Sequence, residues 1–357
     1  MSKNLSKKAS SQDVIIADRL HLPGGSYSMV NVHRKNNRWN VTKKCRIYNH
    51  RDKDIRLIRE MEFMASLTGK AKTLFPEVYD NRVENDRVYY TIAYIPYKNF
   101  SEVIRSGECT AFELSNLLAT IYDRLLEDLY HEIPGPKNAL QRLDYIPLTI
   151  DRLKETRQQL PDNHFLQTII GADQLMIDGV SYPGVTKTLR RAQSFLEHEA
   201  VPATFNHGDL IFQDMLVDPV SKDFCLVDPN GDSVGYMYDI AKTLLCLETS
   251  YDMFYHGEYS LETDLSNRNV PEITIRLDRN EHLRLLEAMR KNFWQYLTDH
   301  KEALFSGKDD WQRLLLVLCG LQNLAIVMFH TLHHNKHDRA TAFLANGIKS
   351  INNALDG

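Results

Sequence analysis

The pattern of the chain changes at Pro96. Before it come short β-rich runs broken by turn residues, and after it long amphipathic stretches, so a sheet-rich part precedes a helix-rich part. VIIADRLHL leads into Pro23-Gly24-Gly25-Ser26, and SMVNVH and RWNVTKKCRIY flank Lys35-Asn36-Asn37 as a hairpin. One helix interrupts these strands: Asp54 to Leu67 carries Ile55, Ile58, Met61, Phe63 and Leu67 near helical spacing. A second strand pair follows around NRVEND and VYYTIAYI. Beyond Pro96 the spacing predicts helices over 110–131, 143–159, 185–198, 280–299 and 311–333. Strands are expected to return only near 203–205, 214–217 and 224–227. This is an α+β chain with a disordered tail over 1–13, a β-rich unit over 14–97 and a helical unit over 98–357. No repeat or low-complexity linker separates the units.

Composition narrows the functional classes. A length of 357 residues suits two or three domain-sized units, and 43% hydrophobic with 25% charged residues excludes collagen, low-complexity disorder and a small disulfide scaffold. The 43 Lys and Arg against 47 Asp and Glu give a net charge of -4, so no nucleic-acid partner is expected. Five cysteines without a CxxC pair read as reduced thiols of a cytoplasmic protein. The polar first residues lack the apolar stretch of a secretory signal. Leu314 to Phe329 is shorter than the ~20 residues a bilayer requires and carries Gln322 and Asn323 in its middle, so it reads as a buried core helix and no membrane span is expected.

The chemistry concentrates between His207 and Lys242, in HGDLIFQDMLVDPVSKDFCLVDPNGDSVGYMYDIAK. Asp209, Asp214 and Asp228 fall around a loop and a short hairpin. Phosphoryl transfer needs carboxylate or amide oxygens to hold Mg2+ on nucleotide phosphates and a carboxylate set against the acceptor hydroxyl. Three acids placed this way can supply both. Asp218 and Asp232 read as ordinary turn residues, and His207 as a packed support for the loop. His330, His333, His334 and His337 have the spacing of a helical zinc face, but Asn335-Lys336-His337-Asp338 reads as a turn beyond the helix.

The segment resembles the H-G-D-x-x-x-x-N loop and D-x-x-G turn of the aminoglycoside phosphotransferase and choline kinase group. The similarity is closer still to kinase-like proteins of bacterial capsular polysaccharide loci, whose HGDLCFSNIL, IDPRG and YDIAKL patterns look like the pieces here. MIDGVSYPGV and MFHTLHHNKHD resemble two further elements of that subgroup. The resemblance implies a two-lobed protein-kinase-like fold with a small β-rich N-lobe and a large, mainly helical C-lobe. It implies that ATP or GTP is the co-substrate, Mg2+ the cofactor, and a hydroxyl of a small polar, carbohydrate-like metabolite the acceptor.

Residue by residue, the resemblance makes Asp209 the catalytic-loop acid, Asp228 a metal ligand and Asp239 the helix acid that anchors the loop. Asp214 stands where the family has a metal-binding Asn. It keeps the oxygen ligand and adds a negative charge. The competing reading is a pseudokinase that binds nucleotide without turning it over; antibiotic phosphorylation is a further alternative. Asn230 replaces the Arg of the closest subgroup. In the first lobe Gly24, Gly25 and Ser26 would cradle phosphates, and Lys43 or its neighbour Lys44 would be the phosphate-binding lysine, with Lys43 favoured for sharing a strand face with Val41. Glu60 would hold that lysine, and Ala93, Tyr94 and Ile95 would offer backbone groups to a purine edge.

Overall fold

A computed structural model describes residues 14–16, 19–21, 29–35, 37–46, 52–85, 87–131, 145–161, 163–230, 235–267, 269–333 and 336–357. The tail expected over 1–13 lies outside them. The chain forms two units: Met1–Tyr97 together with Cys225–Gly231, and Lys98–Phe224 together with Asp232–Gly357.

Among its described residues the first unit is a six-stranded antiparallel sheet with one α-helix and a 3-10 helix, Gly69–Leu74. Its strands are β1 (Val14–Ile16), β2 (Arg19–His21), β3 (Met29–Lys35), β4 (Arg38–Arg46), β5 (Val78–Glu84) and β6 (Arg87–Ala93), in the order β1-β2-β3-β4-β6-β5. The predicted hairpin joins β3 to β4, and Asn37 takes φ 61°, a left-handed conformation that Asn tolerates. Alternation sets the faces of β6: Val88, Tyr90 and Ile92 are buried, while Tyr89 and Thr91 are half-exposed. Helix α1 (Asp52–Ser66) buries Leu57, Glu60, Phe63 and Met64, a helical stripe, and packs on β4 and β6.

The second unit opens with β7 (Lys98–Asn99) and the helices α2 (Phe100–Ser106), α3 (Ala111–Asp128), α4 (Tyr145–Gln159) and α5 (His164–Gly171). Thr110 closes a capping box with Glu113 at the start of α3. The hairpin β8 (Gln174–Ile177) and β9 (Val180–Pro183) and helix α6 (Val185–Leu196) come next. A loop then carries β10 (Met215–Val217), which pairs with β7; β11 (Phe224–Leu226) begins at Phe224 and runs into the segment Cys225–Gly231 of the first unit. Helices α7 (Tyr236–Glu248) and α8 (Tyr251–His256), strands β12 (Tyr259–Asp264) and β13 (Glu272–Leu277), and helices α9 (Glu281–Asp299), α10 (Lys301–Phe305), α11 (Trp311–Ala325) and α12 (His337–Asp356) complete it. At the core, α11 and α12 approach closely: a Cβ on Gly347 would lie 2.8 Å from the Gly320 carbonyl oxygen. Trp311–Leu332 is the one helical run among the described residues long and apolar enough to cross a membrane, and 72% of its apolar window is buried inside the protein.

Several expectations need correction. Strands do not return only where the alternation suggested, because β12-β13-β8-β9 form a further sheet. Its β8–β9 turn is Asp178-Gly179, with φ 51° and 79°, a tight-hairpin pair flanked by strands of only four residues each. The mostly exposed, polar β12 carries little hydrophobic alternation. The region over 203–205 contributes one isolated bridge residue, Thr204, rather than a strand, and the predicted long helix over 311–333 ends as α11 at Ala325, followed by a π-helical turn, Phe329–His333. His337 begins α12 instead of lying in a turn, and His334 lies outside the described residues.

Candidate active site

In the first unit, alternation along β4 sends the two lysines to opposite faces. Lys43 points to the α1 face opposite Tyr90 and is only 5% exposed; Lys44 points to the other face, over the Tyr89 ring at 5.2 Å. The Lys43 ammonium lies 2.5 Å from Glu60 Oε1, and Glu60 is 7% exposed on α1. The Lys43 ammonium also donates to Asp228 Oδ1. Asp228 has φ 59°, a left-handed conformation uncommon outside glycine, and its side chain is 43% exposed. Burial alone would lower the Lys43 ammonium, but the Asp228 and Glu60 carboxylates together outweigh it and hold it well above the ordinary lysine range. Burial pushes the Glu60 carboxyl up to about 7, against the pull of Lys43.

The residues expected at a purine edge begin at the last residue of β6. The Ala93 amide donates to the Glu77 carbonyl at 2.8 Å and the Tyr94 amide to the Trp39 carbonyl at 3.2 Å, so these two amides are committed within the unit. Gly24, Gly25 and Ser26, expected to cradle phosphates, lie outside the described residues, as does Gly231 after Asp228.

In the second unit the loop from Asn206 to Asp214 is built around Asp239, which is 0% exposed in the first turn of α7. Its carboxylate accepts from the backbone amides of His207 and Gly208, both at 2.7 Å, from Asn206 Nδ2 at 3.2 Å and from the Tyr130 hydroxyl at 3.3 Å. Burial raises the Asp239 carboxyl to about 6, while those four hydrogen bonds pull it down. Gly208 takes φ 82°, where a side chain would be strained, and so lets two successive amides face one carboxylate. His207 is buried, and its Nδ1 accepts from the Asp209 amide at 3.3 Å; the imidazole supports the loop, as its packing predicted.

Asp209 then meets a partner that sequence reasoning missed. Lys242, 8% exposed on α7, places its ammonium 2.8 Å from Asp209 Oδ1. Asp239 and Lys242 are three residues apart on a helix, so one face of α7 presents both the acid that pins the loop and the cation that holds its carboxylate. The i,i+3 spacing within YDIAK was the available signal. Asp214 ends a 3-10 turn, Phe212–Asp214, and its neighbour Gln213 donates to buried Asp252 on α8 at 2.5 Å. That contact was also missed, because nothing in the sequence links positions 39 residues apart.

Asp214 and Asp228 offer carboxylate oxygens, the donors that Mg2+ takes. Among the described residues there is no group of three or more His, Cys, Asp or Glu placed to hold a metal. A single carboxylate of this kind suits an ion completed by phosphate and water oxygens, not a cage made wholly of protein.

No family profile matches the chain, and no curated protein matches it. Among solved structures it is similar to the crystal structure of spectinomycin phosphotransferase, APH(9)-Ia, in complex with ADP and spectinomycin. The identity is 7% and the TM-score 0.42, over 94% of this chain and 92% of that one. At those values the likeness bears on neither substrate nor mechanism.

Proposed function

We propose that the protein is a two-lobed, kinase-like O-phosphotransferase that moves the γ-phosphoryl group of ATP or GTP to a hydroxyl of a small polar, carbohydrate-like metabolite. The observation that carries this reading is Lys43 shared between Glu60 and Asp228. A buried ammonium bridging two carboxylates is a poor stability device, since apolar residues of similar volume often do as well or better. Strongly perturbed charged groups gathered at one place instead favour a functional site.

In this reading Glu60 fixes Lys43 so that its ammonium meets the α- and β-phosphates, and backbone groups of Ala93, Tyr94 and Ile95 other than the committed Ala93 and Tyr94 amides meet the purine edge. Asp228 and Asp214 would hold Mg2+, which supplies neutralisation of the phosphate charge. Asp209, held by Lys242, orients the acceptor hydroxyl and takes its proton as the oxygen bonds to the γ-phosphorus and the bond to the nucleoside diphosphate breaks. Because such a transition state is loose, positioning and charge outweigh strong base catalysis, which suits a carboxylate already paired with an ammonium.

The test is Mg2+-dependent nucleotide hydrolysis by the wild type, Asp209→Ala and Asp228→Ala. Both variants should fall to background while the wild type stays above it. Equal background rates in all three would instead favour the pseudokinase reading, in which Asp214 marks lost turnover.

A further inference from the structure

The face of the first unit's sheet turned away from Lys43 carries a second feature that the phosphotransferase reading does not use. Residues of β3, β4, β5 and β6 line an open cavity of about 570 Å³, within the range of small-molecule sites. Its floor is polar: Asn40 is buried, and the Thr42 and Thr91 hydroxyls meet at 2.9 Å. Its cations are Lys35, Arg38 and Arg82, with Lys44 and Arg87 beside Tyr89. Against them stand Asp80 and Glu84, and both carboxylates are already drawn to Arg82, at 2.9 and 3.5 Å. Lys35 and Arg38 therefore face the cavity with no carboxylate of their own among the described residues. The phenol of Tyr89 is held below its ordinary range by a hydrogen bond from Arg87 and by the charge of Lys44, in keeping with a positive local potential.

We infer that this cavity binds a phosphate-bearing small molecule. Clustered Lys and Arg call for a multivalent anion, and Arg matches phosphate through paired N–H donors. The Asn40 amide and the threonine hydroxyls suit the polar body that such a phosphate carries. A single-stranded nucleic acid fits less well, because Lys44 and Arg82 already sit over the Tyr89 ring at 5.2 and 5.0 Å, where a base would stack. The chain's net charge of -4 adds no wider attraction for a polymer. Because Lys43 and Thr42 project to opposite faces of β4, the cavity is distinct from the Lys43 site and stands whether or not the protein transfers phosphate.

Pyrophosphate titrated into the full chain by calorimetry tests this, first in Lys43→Met, which removes the other phosphate-binding lysine. Binding should persist there with one-to-one stoichiometry. Adding Lys35→Glu and Arg38→Glu, both at exposed positions, should weaken it by about tenfold or more. The Lys35→Glu/Arg38→Glu pair in the otherwise wild-type chain, with thermal unfolding as a folding control, gives an independent reading: the binding component that survives Lys43→Met should weaken by the same factor, and any component that depends on Lys43 should stay. Unchanged affinity in the charge-reversed proteins, or loss of all binding in folded Lys43→Met, overturns the proposal. Tighter binding of a single-stranded oligonucleotide than of pyrophosphate also overturns it, by assigning the surface to a polymer.

Discussion

Replacing Lys43 with Met lowers kcat/KM for nucleotide-dependent phosphoryl transfer by about 10²–10³-fold, the loss typical of removing one preorganised charge contact to a developing transition state. The fold should survive. Breaking a buried ion pair commonly costs about 3–5 kcal/mol, but here Asp228 is partly exposed and Glu60 can take up a proton. Glu60 also sets a pH signature. Its carboxyl is raised from the ordinary 4.5 to about 7, so the folded chain holds that proton more tightly than the unfolded one. The resulting stabilisation is fully present below about pH 4.5 and is lost as the pH rises through about 7. In Lys43→Met the pull of the ammonium is gone, and the loss moves to higher pH. Urea unfolding of both proteins between pH 5 and 9 measures this; identical pH profiles would show that Lys43 and Glu60 are not coupled.

The second large effect is on stability. Asp239→Ala removes the acceptor of four donors in a fully buried site and leaves the His207 and Gly208 amides, Asn206 and Tyr130 unsatisfied. Each buried donor left unmade costs about 1–3 kcal/mol, and with partial relaxation a total of about 3–5 kcal/mol is expected. Asp239→Asn keeps one acceptor oxygen but turns an NH2 group toward a backbone N–H, so its loss should be intermediate. The Asp239 carboxyl is raised from 3.8 to about 6, so its titration makes the wild type lose stability as the pH rises through that window. Asp239→Ala lacks that component. Chemical denaturation at pH 4 and 7 reads both effects, and an alanine variant as stable as the wild type with an unchanged pH slope would contradict the anchoring role.

Much of this arrangement is legible before folding, because it is local. The strand runs of β3 to β6, the turn at Asn37 and the hydrophobic stripe of α1 follow from alternation and spacing over a few residues. That Lys43 and not Lys44 shares a sheet face with Glu60 also follows from alternation. The segment from His207 to Asp239 shows its acids plainly, and the anchor at Asp239 lies where the resemblance put it. What escaped is of two kinds. Strands β8, β9, β12 and β13 are too short or too polar for their pattern to show, and they are held by one another in a sheet. Lys242 and Asp252 owe their places to tertiary contact: the first meets an aspartate 33 positions away and the second reaches Gln213 from another element. The commitment of the Ala93 and Tyr94 amides is of the same kind, set by Glu77 and Trp39.

The most direct measurement is transfer of label from γ-32P-ATP and γ-32P-GTP, with Mg2+, to a panel of hydroxyl-bearing sugars and related polar metabolites. The wild type should label at least one acceptor at its hydroxyl, and Asp209→Ala, with Lys242 and the Asp239 anchor intact, should label none. Wild-type labelling no greater than that of Asp209→Ala across the whole panel would contradict the account.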